Sequence, residues 1–234
     1  MSIKKYVLSL CFVFAAAVIL YAPGVEAATL EYSTETVNNS SECVGDNATI
    51  TCVNYFTRVV IEGDSEVAEN INAVLKQSSD DFFSSESGIF EYAAGDVETA
   101  EYDDSYFDYV IQSVCYNGKI ISVREDYYWY AGGVTNIATV GYTFSTSSGK
   151  EVTKITSVTK TKKLSKIRKS LKKKILASDE NLDRTTVCTV LKEKTAKDYD
   201  FYVDTDGKVV VCFQPYELGY GGWTREFTLK GKFS

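Results

Sequence analysis

The sequence predicts an α+β fold: an antiparallel sheet with two principal helices packed on one face. Two observations predict it. The turn dipeptides Asn117-Gly118 and Asp206-Gly207 each join two runs rich in β-branched and aromatic residues at period two. Two stretches, beginning near Val67 and Lys160, carry apolar residues at helical spacing instead. The strands therefore outnumber the helices, and hairpins build antiparallel sheet.

The chain opens on Lys4 and Lys5, an apolar run from Tyr6 to Ala22, a Pro23-Gly24 break and Val25-Glu26-Ala27. Small residues three places and one place before Ala28 fit signal-peptidase cleavage. The apolar run is shorter than the roughly 20 residues that span a bilayer. Residues 1–27 are thus expected to be a signal peptide, and the mature chain a secreted or extracytoplasmic protein of the cell envelope. No stable membrane anchor is expected after processing. Residues 28–48 are polar and read as a lead-in, disordered in part. Residues 49–234 contain no long linker and read as one domain, with halves of about 49–125 and 126–234.

Within that domain, Ile50, Cys52, Tyr55, Val59 and Ile61 mark a first strand, stopped at Gly63-Asp64. Val67, Ile71, Val74, Leu75 and Phe82 mark a helix to about Phe83, with Glu66, Glu69, Asn72 and Lys76 outside. Residues 84–104 are small and acidic and read as a loop or a frayed helical extension. Runs from Tyr106 and from Lys119 make a hairpin about Asn117-Gly118, and a further strand starts at Ile137. Leu164, Ile167, Leu171 and Ile175 form the narrow stripe of a second helix at 160–176, surrounded by lysines. Those lysines read as a solvated face or as a dock for an anionic polymer. Residues 198–203 and 208–213 flank Asp204-Thr205-Asp206-Gly207, and a last strand covers 224–229. Asp204 and Asp206 suggest a calcium loop, but the length and later glutamate of an EF-hand are missing, so the reading is a turn.

Composition excludes several chemistries. There is no histidine, which removes Ser-His-Asp and Cys-His catalysis and His-ligated zinc. No metal site and no cofactor is expected. The formal net charge of −7 disfavours nucleic acid and suits a cationic partner. Five cysteines follow residue 27: Cys43, Cys52, Cys115, Cys188 and Cys212. Export permits disulfides, and two bridges with one free thiol can be drawn about 15 ways. Cys43 and Cys52 are the pair nearest in sequence.

Two stretches combine aromatic residues with glycines: residues 127–133, Tyr-Tyr-Trp-Tyr-Ala-Gly-Gly, and residues 214–223, Gln-Pro-Tyr-Glu-Leu-Gly-Tyr-Gly-Gly-Trp. Both read as glycine-hinged aromatic loops at strand ends. Tyrosine and tryptophan on such loops serve as interface anchors, which makes Tyr130, Tyr216, Glu217, Tyr220 and Trp223 the candidate binding residues. Trp129, Tyr130, Tyr220 and Trp223 would equally stack on sugars. Glu125-Asp126 and Glu217 are candidate acid–base carboxylates, although their spacing does not separate them from surface charge.

The order of these motifs resembles a family of exported bacterial domains. It includes the lysozyme-sensing ectodomain of the anti-sigma-V factor and the N-terminal module of a peptidoglycan deacetylase. The resemblance spans residues 49–229. It rests on the helix at 67–82 before a tyrosine-rich hairpin, Tyr130-Ala-Gly-Gly running into Gly141-Tyr-Thr-Phe, and the turn Ser148-Gly-Lys-Glu151. The hairpin at 201–213 and Pro215-Tyr-Glu-Leu218 closing on glycines complete it. Family members tend to carry Gly-Gly-Ala-His where this chain has Gly132-Gly-Val-Thr135, so the role of that histidine is absent. With only Met1 to Lys5 ahead of the apolar run, this sequence is not expected to hold a sigma factor, and no deacetylase catalytic domain is expected in it. The resemblance implies a non-catalytic binding module for lysozyme or a similar cationic wall-active protein. The alternative is a module for peptidoglycan, and a carboxylate-based glycan-modifying enzyme is a third reading.

Overall fold

The structure, a computed structural model, describes residues 29–84, 88–219 and 221–233. The expected signal peptide therefore lies outside the described residues. Among the described residues no helix is long and apolar enough to cross a membrane.

The fold is α+β and mostly antiparallel, as the hairpins predict. Its large sheet has the order β1 (Tyr32–Asn38), β3 (Thr49–Ile61), β4 (Asp104–Asn117), β5 (Ile120–Ala131), β6 (Val134–Ser145), with β2 (Ser41–Val44) also paired to β3. The stretch expected as a polar lead-in is thus two strands. Tyr32 to Asn38 pair antiparallel with Ile61 to Tyr55, and Ser41 to Val44 with Cys52 to Thr49. Its polar side chains are those of an edge, where burial is partial and strand patterning is weak.

β3 and β4 run parallel, which requires a crossover rather than a tight turn. The crossover consists of α1 (Glu66–Ser84) and α2 (Ile89–Asp96), so both helices land on the same side of the sheet. α1 buries Ala68, Ile71 and Leu75 against Val59, Ile61, Ile121, Val123 and Phe144. α2, in the region read as a loop or frayed helix, buries Ile89 and Ala93 against Ile50, Cys52, Tyr106 and Ala131. Asn72 fastens α1 to the end of β3 by exchanging two 2.8 Å hydrogen bonds with the Ile61 backbone. Along β3 the buried positions pass from Ile50, Cys52, Asn54 and Phe56 to Val59 and Ile61, a slip of one residue. The Val59 N–H donates to buried Gln112 Oε1 at 2.9 Å at that slip.

After β6 the chain builds a second core. α3 (Ile155–Val158), α4 (Leu164–Ser178) and α5 (Arg184–Glu193) pack with a three-stranded antiparallel sheet, β7 (Asp200–Val203), β8 (Val209–Phe213) and β9 (Arg225–Leu229). The predicted single sheet is therefore two. Ile167, Leu171 and Ile175 bury the stripe of α4, while Lys166, Lys169, Lys173 and Lys174 are exposed. α5 has no counterpart among the sequence expectations. Its N-cap, Asp183, accepts from Thr186 N at 2.6 Å, and Val187 and Leu191 are its buried residues. The turn at 204–207 is held by Asp204 Oδ1, which accepts from Asp206 N and Lys208 N, with Gly207 at φ 72. No group of three or more potential metal ligands occurs among the described residues.

The two sheets meet where β7 lies over β5 and β6. Ser122 Oγ accepts from Val203 N at 2.8 Å, and Arg124 donates to Tyr202 Oη at 3.2 Å. Cys115, the extra residue of a bulge in β4, joins Tyr202, Val210 and Cys212 there.

The five described cysteines are free thiols, so the expected disulfide is not formed. Cys43 and Cys52 nevertheless lie on neighbouring strands, within side-chain hydrogen-bond reach of each other.

Candidate functional site

The loop at 214–224 joins β8 to β9, and its described residues are tied down at both ends. Gln214 Nε2 donates to Thr139 O and to Asp200 Oδ2, each at 2.9 Å. Tyr216 N donates to Gly221 O, closing a tight loop in which Gly219 and Gly221 take φ of 108 and 101. The loop then lies along the outer edge of β6. Ile137 N donates to Gly222 O, Thr224 N to Ile137 O, and Thr139 N to Thr224 Oγ1. Leu218 points inward and is 2% exposed, whereas Tyr216 and Trp223 are 63% and 54% exposed. Tyr216 also holds φ 64, a left-handed conformation that side-chain-bearing residues seldom adopt.

Of the expected binding residues, the structure brings Tyr216, Glu217 and Trp223 together on this loop. Glu217 has a bracing role. Its carboxylate accepts from Gln214 N at 2.8 Å and ion-pairs with Lys194 at 2.6 Å. Tyr220 lies outside the described residues. Tyr130 lies elsewhere, because residues 127–131 belong to β5 and form no loop. The glycines after them, at φ 55 and 82, make the two-residue turn into β6. Tyr130 is half-buried and tilted against Phe107, with ring centroids 6.0 Å apart.

β5 faces two environments. Tyr127 and Trp129 point to the helices, Trp129 meeting Tyr92 of α2 edge-on at 5.8 Å. Tyr128 points to the other face, in a row that sequence reasoning missed. The registers Tyr55↔Tyr109, Tyr109↔Tyr128 and Tyr128↔Ile137 continue to Trp223 through a bridge with Ile137. The three tyrosine rings stack at 4.7 and 4.8 Å, with interplanar angles of 6° and 21°. Stacked in this way, Tyr109 has both of its faces against neighbouring rings. Only long-range pairing aligns them, so no local pattern announces the row.

The candidate acid–base carboxylates are separated. Glu125 and Asp126 are neighbours in a strand, so they point to opposite faces. Asp126 accepts from Arg124 Nε and Thr139 Oγ1. Glu125 is fully buried, and each of its contacts is a donor: Ser78 Oγ at 2.8 Å, Gln112 Nε2 at 2.6 Å, Tyr127 Oη, and Tyr142 Oη at 3.3 Å. Burial, together with the Glu125 charge, pushes the Tyr142 hydroxyl up to about 12 and raises that of Tyr127 as well. A groove of about 810 Å³ opens above this network between α1 and strands β4 to β6.

Among solved structures, the chain is similar to the crystal structure of a DUF3298 family protein from Pseudomonas aeruginosa PAO1. Sequence identity is 11% and the TM-score is 0.50, over 87% of this chain and 92% of that one. At that identity the likeness shows the fold alone. No protein-family model matches the chain, and no curated protein matches it.

Proposed function

We propose that this chain is an exported, non-catalytic binding module that recognises lysozyme or a similar cationic wall-active protein, as the family its motifs resemble would imply. The observation that carries the reading is the pair Tyr216 and Trp223, two large aromatic side chains more than half exposed on a loop braced at both ends. Rigid aromatic anchors lose little conformational freedom on binding, which is why they dominate interface energetics. The net charge of −7 would steer a basic partner toward them. The DUF3298 domain occurs in proteins of the anti-sigma-V and deacetylase kind, so the shared fold supports the family reading.

The test is calorimetry of the full chain with purified lysozyme at low and moderate salt. Heat that weakens with salt, and an affinity that falls in Trp223→Ala, support the proposal. No heat at either salt, with retention of the chain on insoluble peptidoglycan, would favour the wall-glycan module instead.

A further inference from the structure

We propose that the groove between α1 and the helix-covered face of the large sheet binds an alkylammonium group, carried by a free amine or by a lysine side chain. The inference does not depend on the proposed partner and starts from the protons of three hydroxyls. Ser78, Tyr127 and Tyr142 line the groove, and each donates to the Glu125 carboxylate: the two tyrosines to Oε1, and Ser78 shared between Oε1 at 2.8 Å and Oε2 at 2.9 Å. A hydroxyl has one proton to give. With that proton turned inward, the three oxygens have only lone pairs left to offer a ligand.

The floor of the groove thus offers acceptors, and the carboxylate of Asp81, which also accepts from Gln77 Nε2, adds more at its wall. A matching ligand must be rich in donors. The buried Glu125 makes no ion pair among the described residues, and a buried carboxylate without a counter-charge is costly. A cation seated on the hydroxyl layer supplies that charge one atom away. Because the three hydroxyls converge on one carboxylate, they suit a compact group with three donors, an ammonium, better than the flat fork of a guanidinium. The rings of Phe82, Tyr127 and Tyr142 offer cation–π contact. Ala73 and Val74 give the alkyl stem an apolar wall.

The experiment is a titration of the full chain, labelled in its tyrosine rings, followed by NMR. n-Butylamine is the probe and n-butanol its neutral counterpart of similar shape. The expected result is a saturable shift of the Tyr127 and Tyr142 resonances with the amine and none with the alcohol. Glu125→Gln, which removes the charge and sets an amide donor against either the hydroxyls or the Gln112 Nε2 donor, should abolish the response. That variant risks the fold, so Tyr142→Phe is the second: it keeps the ring, loses one acceptor and a long hydrogen bond, and should weaken the amine about fivefold or more. An equal response to the alcohol, or unchanged affinity in Tyr142→Phe, overturns the proposal. Binding of a blocked lysine peptide but not of its acetylated form would identify a side chain as the source. Binding of the free amine without the peptide would identify a small molecule. Either outcome upholds the ammonium site.

Discussion

Gly141 of β6 lies against the backbone of β7 so closely that an ideal Cβ at 141 would stand 2.1 Å from the Phe201 carbonyl oxygen. The obstacle is main chain, which no rotamer change can move. Gly141→Ala must therefore push the two sheets apart at Ser122–Val203 and Arg124–Tyr202. Overpacking costs about 1–3 kcal/mol, and a chemical-denaturation midpoint lowered by at least the smaller figure is expected. An unchanged midpoint would show that the sheets slide freely at this point.

Much of this junction could not be read from the sequence. The strand at Thr49–Ile61, the helix at Glu66–Ser84 and both predicted hairpins were legible, because their period and turn residues are local. Gly118 shows how local chemistry can mislead. It stands in the hairpin turn but is not among the residues at positive φ, so the conformation usual for Asn-Gly is not used. The nearest atoms a Cβ there would meet belong to the Tyr116 side chain, from 3.0 Å. The parallel pairing of β3 with β4, the division into two sheets and the tyrosine row depend on contacts far apart in sequence. The candidate site was half legible. Glycines and aromatics pointed to the 214–224 loop, but nothing local separated exposed Tyr216 and Trp223 from strand-bound Tyr130, or bracing Glu217 from a binding carboxylate.

Tyr216 allows stability and binding to be separated. Its φ of 64 carries a strain of about 1–2 kcal/mol for an L-residue. Glycine relieves that strain at an entropic cost of about 0.5–1 kcal/mol. Tyr216→Gly should leave the melting temperature unchanged or slightly raised while weakening lysozyme binding. Trp223→Ala should cost about 2 kcal/mol or more of binding, roughly a 30-fold rise in Kd. Kd values for both variants below threefold of the parent would remove these residues from the interface.

Oxidation should join Cys43 to Cys52. Burial, then the neighbouring Cys43, pushes the Cys52 thiol up to about 12, so half-buried Cys43 is the sulfur that reacts first at neutral pH. Treatment with oxidised glutathione should give a mixed disulfide at Cys43 that Cys52 then displaces, releasing reduced glutathione. The closed loop should add about 2–3 kcal/mol of stability. Peptide mapping that finds only glutathione at Cys43 would show that the two strands hold the sulfurs apart.

Alkali should loosen the Glu125 network. The Tyr142 hydroxyl moves from 10.0 to about 12 on folding, so the folded chain holds that proton more tightly than the unfolded one. Its contribution is complete below pH 10 and is lost as pH rises toward 12. Thermal melts across that window should show a falling Tm, with a shallower fall in Tyr142→Phe. Equal slopes in the two proteins would mean that the loss arises at other tyrosines.

The outer strand of a sheet offers unpaired backbone groups on which another chain can grow. In β6 those at Ile137 and Thr139 bond to the 214–224 loop, and those at Thr143 and Ser145 bond to Val152 and Lys150. The loop that displays Tyr216 and Trp223 is therefore also a cover over a strand end. Variants that detach it would release a template for self-association, so a weaker binder with an intact cover and an aggregating chain that has lost it are different failures of one segment. Light scattering distinguishes them before any affinity is measured.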